Sequence, residues 1–263
     1  MIKEKSCICV QGFKNIIDKG KNMNIAVIFA GGVGKRMNSK EKPKQFLKMH
    51  DKPIIIHTLE KFQSNDNIDA IVIACVEEWI EYLRNLVDYY HIYKVKSIVP
   101  GGKTGQLSIY AGLNAAHKIA GDERTVVLIH DGVRPLINNE VIDKNIDSVK
   151  NYGSAITSVK VTETIMEVKD DFSIKYIPDR TYSRLARAPQ SFWLDEILAV
   201  HNKALSEGKY DFIDSCTMMN YYGKKMYLVD GPIENIKVTT PQDFYIMRAI
   251  LDAQENSQIY GLE

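Results

Sequence analysis

The stretch Asn24-Ile25-Ala26-Val27-Ile28-Phe29-Ala30-Gly31-Gly32-Val33-Gly34-Lys35-Arg36-Met37 decides how the rest of this chain is read. Ile25 to Phe29 is a short apolar run, β-branched at three of five positions. That composition suits a strand covered on both faces. The run enters a loop holding Gly31, Gly32 and Gly34 beside Lys35 and Arg36. Glycines let the backbone approach a ligand closely. Their N–H groups can then point at an anion, which in such loops is usually phosphate. Two well-known phosphate loops do not fit. A P-loop counted from Gly31 or Gly32 meets Arg36 or Met37 where Gly-Lys-Ser/Thr is needed, and the dinucleotide fingerprint needs a glycine where Met37 stands. Lys42-Pro43-Lys44-Gln45-Phe46 brings a further lysine close by. Glycine and charge alone are equally compatible with a plain βα turn carrying solvated side chains.

Downstream, strands and helices alternate. Ile54 opens a helix whose Ile55, Leu59 and Phe62 share a face. Strands are predicted at Asp69–Val76, Val95–Val99, Thr125–Ile129 and Ser154–Val161, and helices at Glu77–Tyr90, Thr104–Ala120 and Asn139–Tyr152. This rhythm predicts an α/β fold, a doubly wound and mostly parallel sheet with helices on both faces. Ligands in such sheets bind outside the carboxyl ends of the strands. Three loops leave at that edge: Gly31 to Arg36, Gly101 to Ser108, and His130 to Pro135.

After Val161 the rhythm breaks. Thr162 to Val168 and Ser173 to Ile177 read as a two-stranded hairpin turning at Lys169–Phe172. An isolated hairpin is marginal in water, so this arm, about residues 162–184, is expected to pack on a second subunit. The chain returns through Arg184 to Gln190, forms helices at Leu194–Glu207 and Asp214–Tyr222, and a strand at Met226–Val229. Lys237 then falls in a strand-like stretch, where an idle lysine is unexpected. Thr240, Pro241 and Asp243 have the pattern of a helix N-cap, first residue and capping box.

Composition narrows the function class. The 263 residues suit a single domain, and 34 basic against 33 acidic residues leave a net charge of +1, unlike the basic excess of nucleic-acid binders. No apolar run approaches the ~20 residues of a membrane helix. Cys7, Cys9, Cys75 and Cys216 are too few and scattered for a disulfide framework, which suits a reduced, cytoplasmic protein. Residues 1–22 read as an extension ahead of one domain at 23–263.

Five motifs then occur in order: Ala30-Gly31-Gly32-x-Gly34-x-Arg36-Met37, Pro43-Lys44-Gln45-Phe46, His130-Asp131-Gly132-Val133-Arg134-Pro135, Ala188-Pro189-Gln190-Ser191-Phe192 and Asn235-Ile236-Lys237-Val238-Thr239. This series resembles the cytidylyltransferases that act on 2-C-methyl-D-erythritol 4-phosphate or ribitol 5-phosphate. The resemblance implies that Ala30, Gly31, Gly32, Gly34 and Arg36 hold CTP, that Lys44 sits on the triphosphate, and that Gly101, Gly102, Ser108 and Gly132 join the nucleotide contacts. It places Asp131 at Mg²⁺ and the acceptor, with Arg134 following and Lys237 near the reacting phosphate. Arg36, Lys44 and Lys237 would be the catalytic cations, and Glu234 a second carboxylate for the metal. Thr164 and Arg180 match acceptor-phosphate contacts donated by a partner's arm, and the family is typically a homodimer.

Three positions depart from the family's methylerythritol members. Gly105 stands where an arginine is common, and Ala188 and Ile213 stand where threonines are common, which removes two hydroxyls from the acceptor pocket. The expected reaction is attack of an acceptor phosphate oxygen on the α-phosphorus of CTP. A sugar-1-phosphate nucleotidyltransferase and a nucleotide-binding module without turnover are the other two readings.

Overall fold

β1 (Met23–Ala30) lies inside a seven-stranded sheet whose spatial order is β11-β7-β10-β6-β1-β4-β5. The computed structural model describes residues 22–31 and 42–260. The other strands of this sheet are β4 (Ala70–Cys75), β5 (Val95–Pro100), β6 (Thr125–Asp131), β7 (Ser154–Lys160), β10 (Arg184–Trp193) and β11 (Leu228–Asp230). β2 (Lys48–Met49) pairs with β3 (Lys52–Pro53) apart from it, and β8 (Glu167–Val168) with β9 (Ile174–Tyr176). The helices are α1 (Ile54–Gln63), α2 (Ile80–Tyr89), α3 (Gly105–Ala120), α4 (Asn139–Tyr152), α5 (Leu194–Ser206), α6 (Ser215–Tyr221) and α7 (Pro241–Tyr260).

The two-faced burial anticipated for β1 is present, because alternate side chains serve different cores. Ala26 and Ile28 join Ile71 and Ile73 of β4 and Val126 and Leu128 of β6 under α1, α2 and α4. Ile25 and Val27 join Val72, Val127 and Ile129 under α3, α5 and α6. The strand period of two thus sends consecutive residues into opposite layers. A third, smaller core joins Met49, Ile54 and Val133 to Val238 and to Met247 of α7.

β1 is parallel to both β4 and β6. From β1 the chain winds outward through β4 to β5, then crosses back to place β6 on the other side of β1. The strand order therefore reverses between β1 and β6, where Phe29 is registered against Asp131. A crevice outside the carboxyl ends of the strands at such a reversal is the usual ligand site.

β10 overturns the reading of Arg184 to Gln190 as a plain connection. It runs antiparallel between β6 and β7. Pro189 removes a backbone donor and argues against a central strand. The strand tolerates it through an irregularity between Ala186 and Gln190, where its register against β7 shifts. The arm turns where expected, with the Phe172 amide donating to the Lys169 carbonyl at 3.0 Å, but its paired segments are shorter than the sequence suggests. Phe172 and Tyr182 are 88% and 86% exposed, so in one chain the arm's large apolar groups face solvent. The Asn235–Thr239 stretch is irregular and not a strand. The capping box at α7 is present: the Thr240 amide donates to Asp243 Oδ2 at 2.7 Å, and the Asp243 amide to Thr240 Oγ1 at 3.4 Å. No described helix is long and apolar enough to cross a membrane.

Candidate active site

Three of the sequence-predicted side chains meet at the end of β6. Asp131 Oδ2 accepts from Arg134 Nε at 2.7 Å, and Asp131 Oδ1 forms an ion pair with Lys237 Nζ. Asp131 and Arg134 are buried, at 6% and 9% side-chain exposure, whereas Lys237 is 36% exposed. Burial by itself would raise the Asp131 carboxyl, but the charges and hydrogen bonds of Lys237 and Arg134 outweigh it and hold the group well below the usual carboxylate range. Arg134 is fixed a second time by donating from Nη1 to the Asn235 carbonyl at 3.0 Å. Asn235 in turn donates from Nδ2 to the Ala188 carbonyl at 2.7 Å, tying the Lys237 segment to β10. Lys237 also lies over the Phe29 ring, 5.5 Å from its centroid.

Lys44 reaches the same place from another segment. Gln45 Nε2 donates to the Ala30 carbonyl at 2.7 Å, fastening the Lys44–Phe46 turn to the end of β1. Phe46 stacks on Trp79 with ring centroids 5.1 Å apart. Held at both ends, the turn lets Lys44 Nζ donate to the Val238 carbonyl at 3.0 Å, one residue beyond Lys237.

Gly31 and the Gly101–Gly102 stretch meet at one hydroxyl. Ser108 Oγ accepts from the Gly102 amide at 3.1 Å and donates to the Thr104 carbonyl at 2.9 Å. A Cβ built on Gly31 would lie 2.8 Å from Ser108 Oγ, and one on Gly101 3.0 Å from it. Only residues without a side chain let Gly31 and Gly101 lie this close to Ser108. Ser108 is buried, so it shapes the loop from beneath. Gly132 is likewise engaged: its amide donates to the Phe29 carbonyl at 3.0 Å and its carbonyl accepts from Thr58 Oγ1 at 3.1 Å.

A cavity of about 340 Å³ opens beside these groups, lined by Asp131, Arg134, Lys237, Gly105, Arg187, Gln190, Ile213, Asp214 and Ser215 among others. Gly105, Ala188 and Ile213, the three departures seen in the sequence, all line it. Gly32, Gly34 and Arg36 lie outside the described residues. Thr164 and Arg180 stand on the arm, away from the cavity lining, and Arg180 Nη1 donates to the Thr162 carbonyl at 3.0 Å. Glu234 is a correction. It is exposed and lines a different recess with Lys61, Leu136 and Gln254, so it is not placed to share a metal with Asp131. Among the described residues no three His, Cys, Asp or Glu side chains cluster as metal ligands.

His130 is a core residue. It is fully buried, Nε2 lies 3.1 Å from the Arg134 carbonyl, and burial pushes its imidazole down to about 4. The sequence reading gave no site role to Arg187, Asp214 or Gln190. Asp214 caps α6, accepting from the Thr217 amide at 2.7 Å, and also accepts from Gln190 Nε2 at 3.0 Å. Arg187 is half-buried, and burial followed by the like charge of Arg134 lowers its guanidinium. The cap pattern at Asp214 was legible; the convergence of Arg187 on the cavity was not.

A doubly wound sheet with glycine loops and converging lysines at its switch point defines the class: an α/β nucleotidyltransferase. A family profile described as "IspD: 2-C-methyl-D-erythritol 4-phosphate cytidylyltransferase" matches residues 24–253, and the chain belongs to that family. A ribitol-5-phosphate cytidylyltransferase of Streptococcus agalactiae serotype V is 57% identical over 240 residues, covering 91% of this chain and all of the relative. A 2-C-methyl-D-erythritol 4-phosphate cytidylyltransferase of Clostridium botulinum is 40% identical over 231 residues, covering 87% of this chain and 97% of the relative. The crystal structure of 4-diphosphocytidyl-2C-methyl-D-erythritol synthase from Anaerococcus prevotii superposes with a TM-score of 0.76 at 26% identity, covering 88% of this chain and 96% of that one.

Proposed function

We propose that this enzyme transfers a cytidylyl group from CTP to ribitol 5-phosphate, giving CDP-ribitol and pyrophosphate. The observation that carries the acceptor is the gap between 57% identity to the ribitol-5-phosphate relative and 40% to the methylerythritol relative. Ala188 and Ile213 in the cavity support it, since both replace hydroxyls common in methylerythritol enzymes.

In the reaction an ionised oxygen of the acceptor phosphate forms a bond to the α-phosphorus, and the bond from that phosphorus to the bridging oxygen of pyrophosphate breaks. The nucleophile is already ionised at neutral pH, so no side chain has to remove a proton. The barrier is chiefly alignment and repulsion between anions, which fixed cations lower. Arg36, Lys44 and Lys237 are assigned to that work. The glycines of the two loops would bring backbone amides to the nucleotide.

The donor set fits Mg²⁺ in one particular way. Asp131 is a single buried carboxylate kept ionised by its neighbours, and Mg²⁺ usually takes one or two carboxylates together with substrate phosphates. When bound, the ion supplies charge neutralisation on the phosphate oxygens. Asp131 would hold it, with Lys237 turning from Asp131 Oδ1 toward the phosphates. The domain is assigned to residues 23–263, with 1–22 as an extension, and the exposed arm to a homodimer in which Thr164 and Arg180 of each chain serve the other's acceptor. Pyrophosphate release, measured with each nucleoside triphosphate against ribitol 5-phosphate, methylerythritol 4-phosphate, glycerol phosphate and glucose 1-phosphate, tests the reading. CTP with ribitol 5-phosphate should give the highest kcat/KM. Faster turnover of another pair would overturn it.

A further inference from the structure

Two polar atoms in the cavity wall are buried without a hydrogen-bond partner: Arg187 Nε and Ser215 Oγ. Buried polar atoms are nearly always satisfied, so such a pair in a cavity calls for an explanation. No carboxylate pairs with Arg187 among the described residues. The two that line the cavity are committed elsewhere, Asp131 to Arg134 and Lys237, and Asp214 to the Thr217 amide and Gln190. The remaining charged neighbour, Arg134, has the same sign. Arg187 therefore projects uncompensated positive charge into a cleft that already holds a second guanidinium.

We propose that Arg187 is the same-chain anchor for the phosphate monoester of the acceptor, with the Ser215 hydroxyl as its second donor. The planar guanidinium matches two phosphate oxygens at once. Arg187 precedes Ala188, and Ser215 lies two residues after Ile213, so the unsatisfied donors adjoin the two positions that lack a hydroxyl. The β10 irregularity between Ala186 and Gln190 lies at Arg187, next to the cavity.

This inference rests on cytidylyl transfer to a polyol phosphate, as proposed above, and the test separates the two. Wild-type enzyme is first assayed across the acceptor panel, which decides the acceptor before any variant is compared. Arg187→Gln and Arg187→Lys are then assayed with whichever acceptor phosphate the wild type turns over. Arg187→Gln should raise the KM for that acceptor about 10- to 100-fold, as expected for a lost hydrogen bond between charged groups. The KM for CTP should stay within about twofold, and Arg187→Lys should recover part of the loss. The melting temperature of Arg187→Gln should be unchanged or higher, since a partly buried unpaired charge is removed. An acceptor KM within about twofold of wild type, or an equal rise in both KM values, would overturn the assignment.

Discussion

Asp131 and Lys237 form one ion pair, yet removing either end should have different consequences. Asp131→Asn leaves Arg134 nearly buried with its charge uncompensated. Breaking a buried pair in this way costs about 3–5 kcal/mol. Arg134 keeps its bond to the Asn235 carbonyl, and an asparagine oxygen still accepts from Nε, so the lower end, about 3 kcal/mol, is expected. For a chain of this size that lowers the melting temperature by about 6–12 °C. Lys237→Gln removes the partner that is 36% exposed, and exposed pairs contribute about 1 kcal/mol or less. It should cost about 2–4 °C at most while reducing kcat about 10²- to 10³-fold, the usual loss when a fixed transition-state donor is removed. Acid adds a second signature. The carboxyl of Asp131 lies below its ordinary value of 3.8 in the folded protein, so its stabilising contribution is complete above that value and is lost as pH falls toward the folded-state value. The gap in stability between wild type and Asp131→Asn should therefore be constant near neutrality and narrow below about pH 4. Scanning calorimetry against pH, with pyrophosphate release measured in parallel, checks both halves. Equal melting losses in the two variants, or a Lys237→Gln enzyme with normal kcat, would refute the reasoning.

Three further outcomes are expected. Lys44→Ala should reduce turnover by about two orders of magnitude or more with an unchanged circular dichroism spectrum, because Lys44 is held at the Val238 carbonyl beside Lys237; near-normal turnover would remove it from the site. Arg180→Ala should raise the KM for the acceptor far more than that for CTP if the arm serves a partner's site, and equal changes would argue against that role. A protein beginning at Met23 should keep full activity, since β1 starts there and its backbone pairs with β4 and β6; loss of turnover would make residues 1–22 part of the working enzyme.

The parts of this molecule legible in the sequence are those fixed by local periodicity. Ile25–Phe29 read as a doubly covered strand because both faces of β1 are apolar, and the Asn139–Tyr152 helix was found over its full range because helical spacing puts Ile142, Ile146 and Val149 on one buried face. β10 was illegible because Pro189 contradicts a central strand, and only the register shift against β7 reconciles the two. Lys237 reached the site for a reason other than the one inferred. No strand holds it; its segment is positioned by Arg134 on the Asn235 carbonyl and by the Val238 amide on the Val133 carbonyl at 3.0 Å, contacts made across about a hundred residues of chain. Glu234 shows the converse error. It was expected as a second carboxylate for the metal, but it and Lys237, on either side of the buried Asn235, line different recesses.

The unequal burial of the two cations on Asp131 would let one carboxylate serve both a resting and a loaded site in the proposed reaction. Arg134 is enclosed and doubly bonded, so it fixes the carboxylate through Oδ2 and cannot leave without stranding a charge. Lys237 is a flexible chain, partly in water, and it occupies Oδ1. Exchange is therefore cheap at one oxygen and costly at the other. In the proposed reaction the phosphates of CTP would offer Lys237 a better anion than a carboxylate it must share, and Oδ1 would become available in the same movement. Before that the pair leaves no lone buried charge, which keeps the carboxylate ionised and aimed without substrate. An enzyme with two fixed arginines on Asp131 would hold the carboxylate equally well but could not release an oxygen. On this argument Lys237→Arg should fold normally, bind the carboxylate bidentately and turn over poorly, although the charge is unchanged; wild-type kcat in that variant would mean that Lys237 never leaves Asp131 during the cycle.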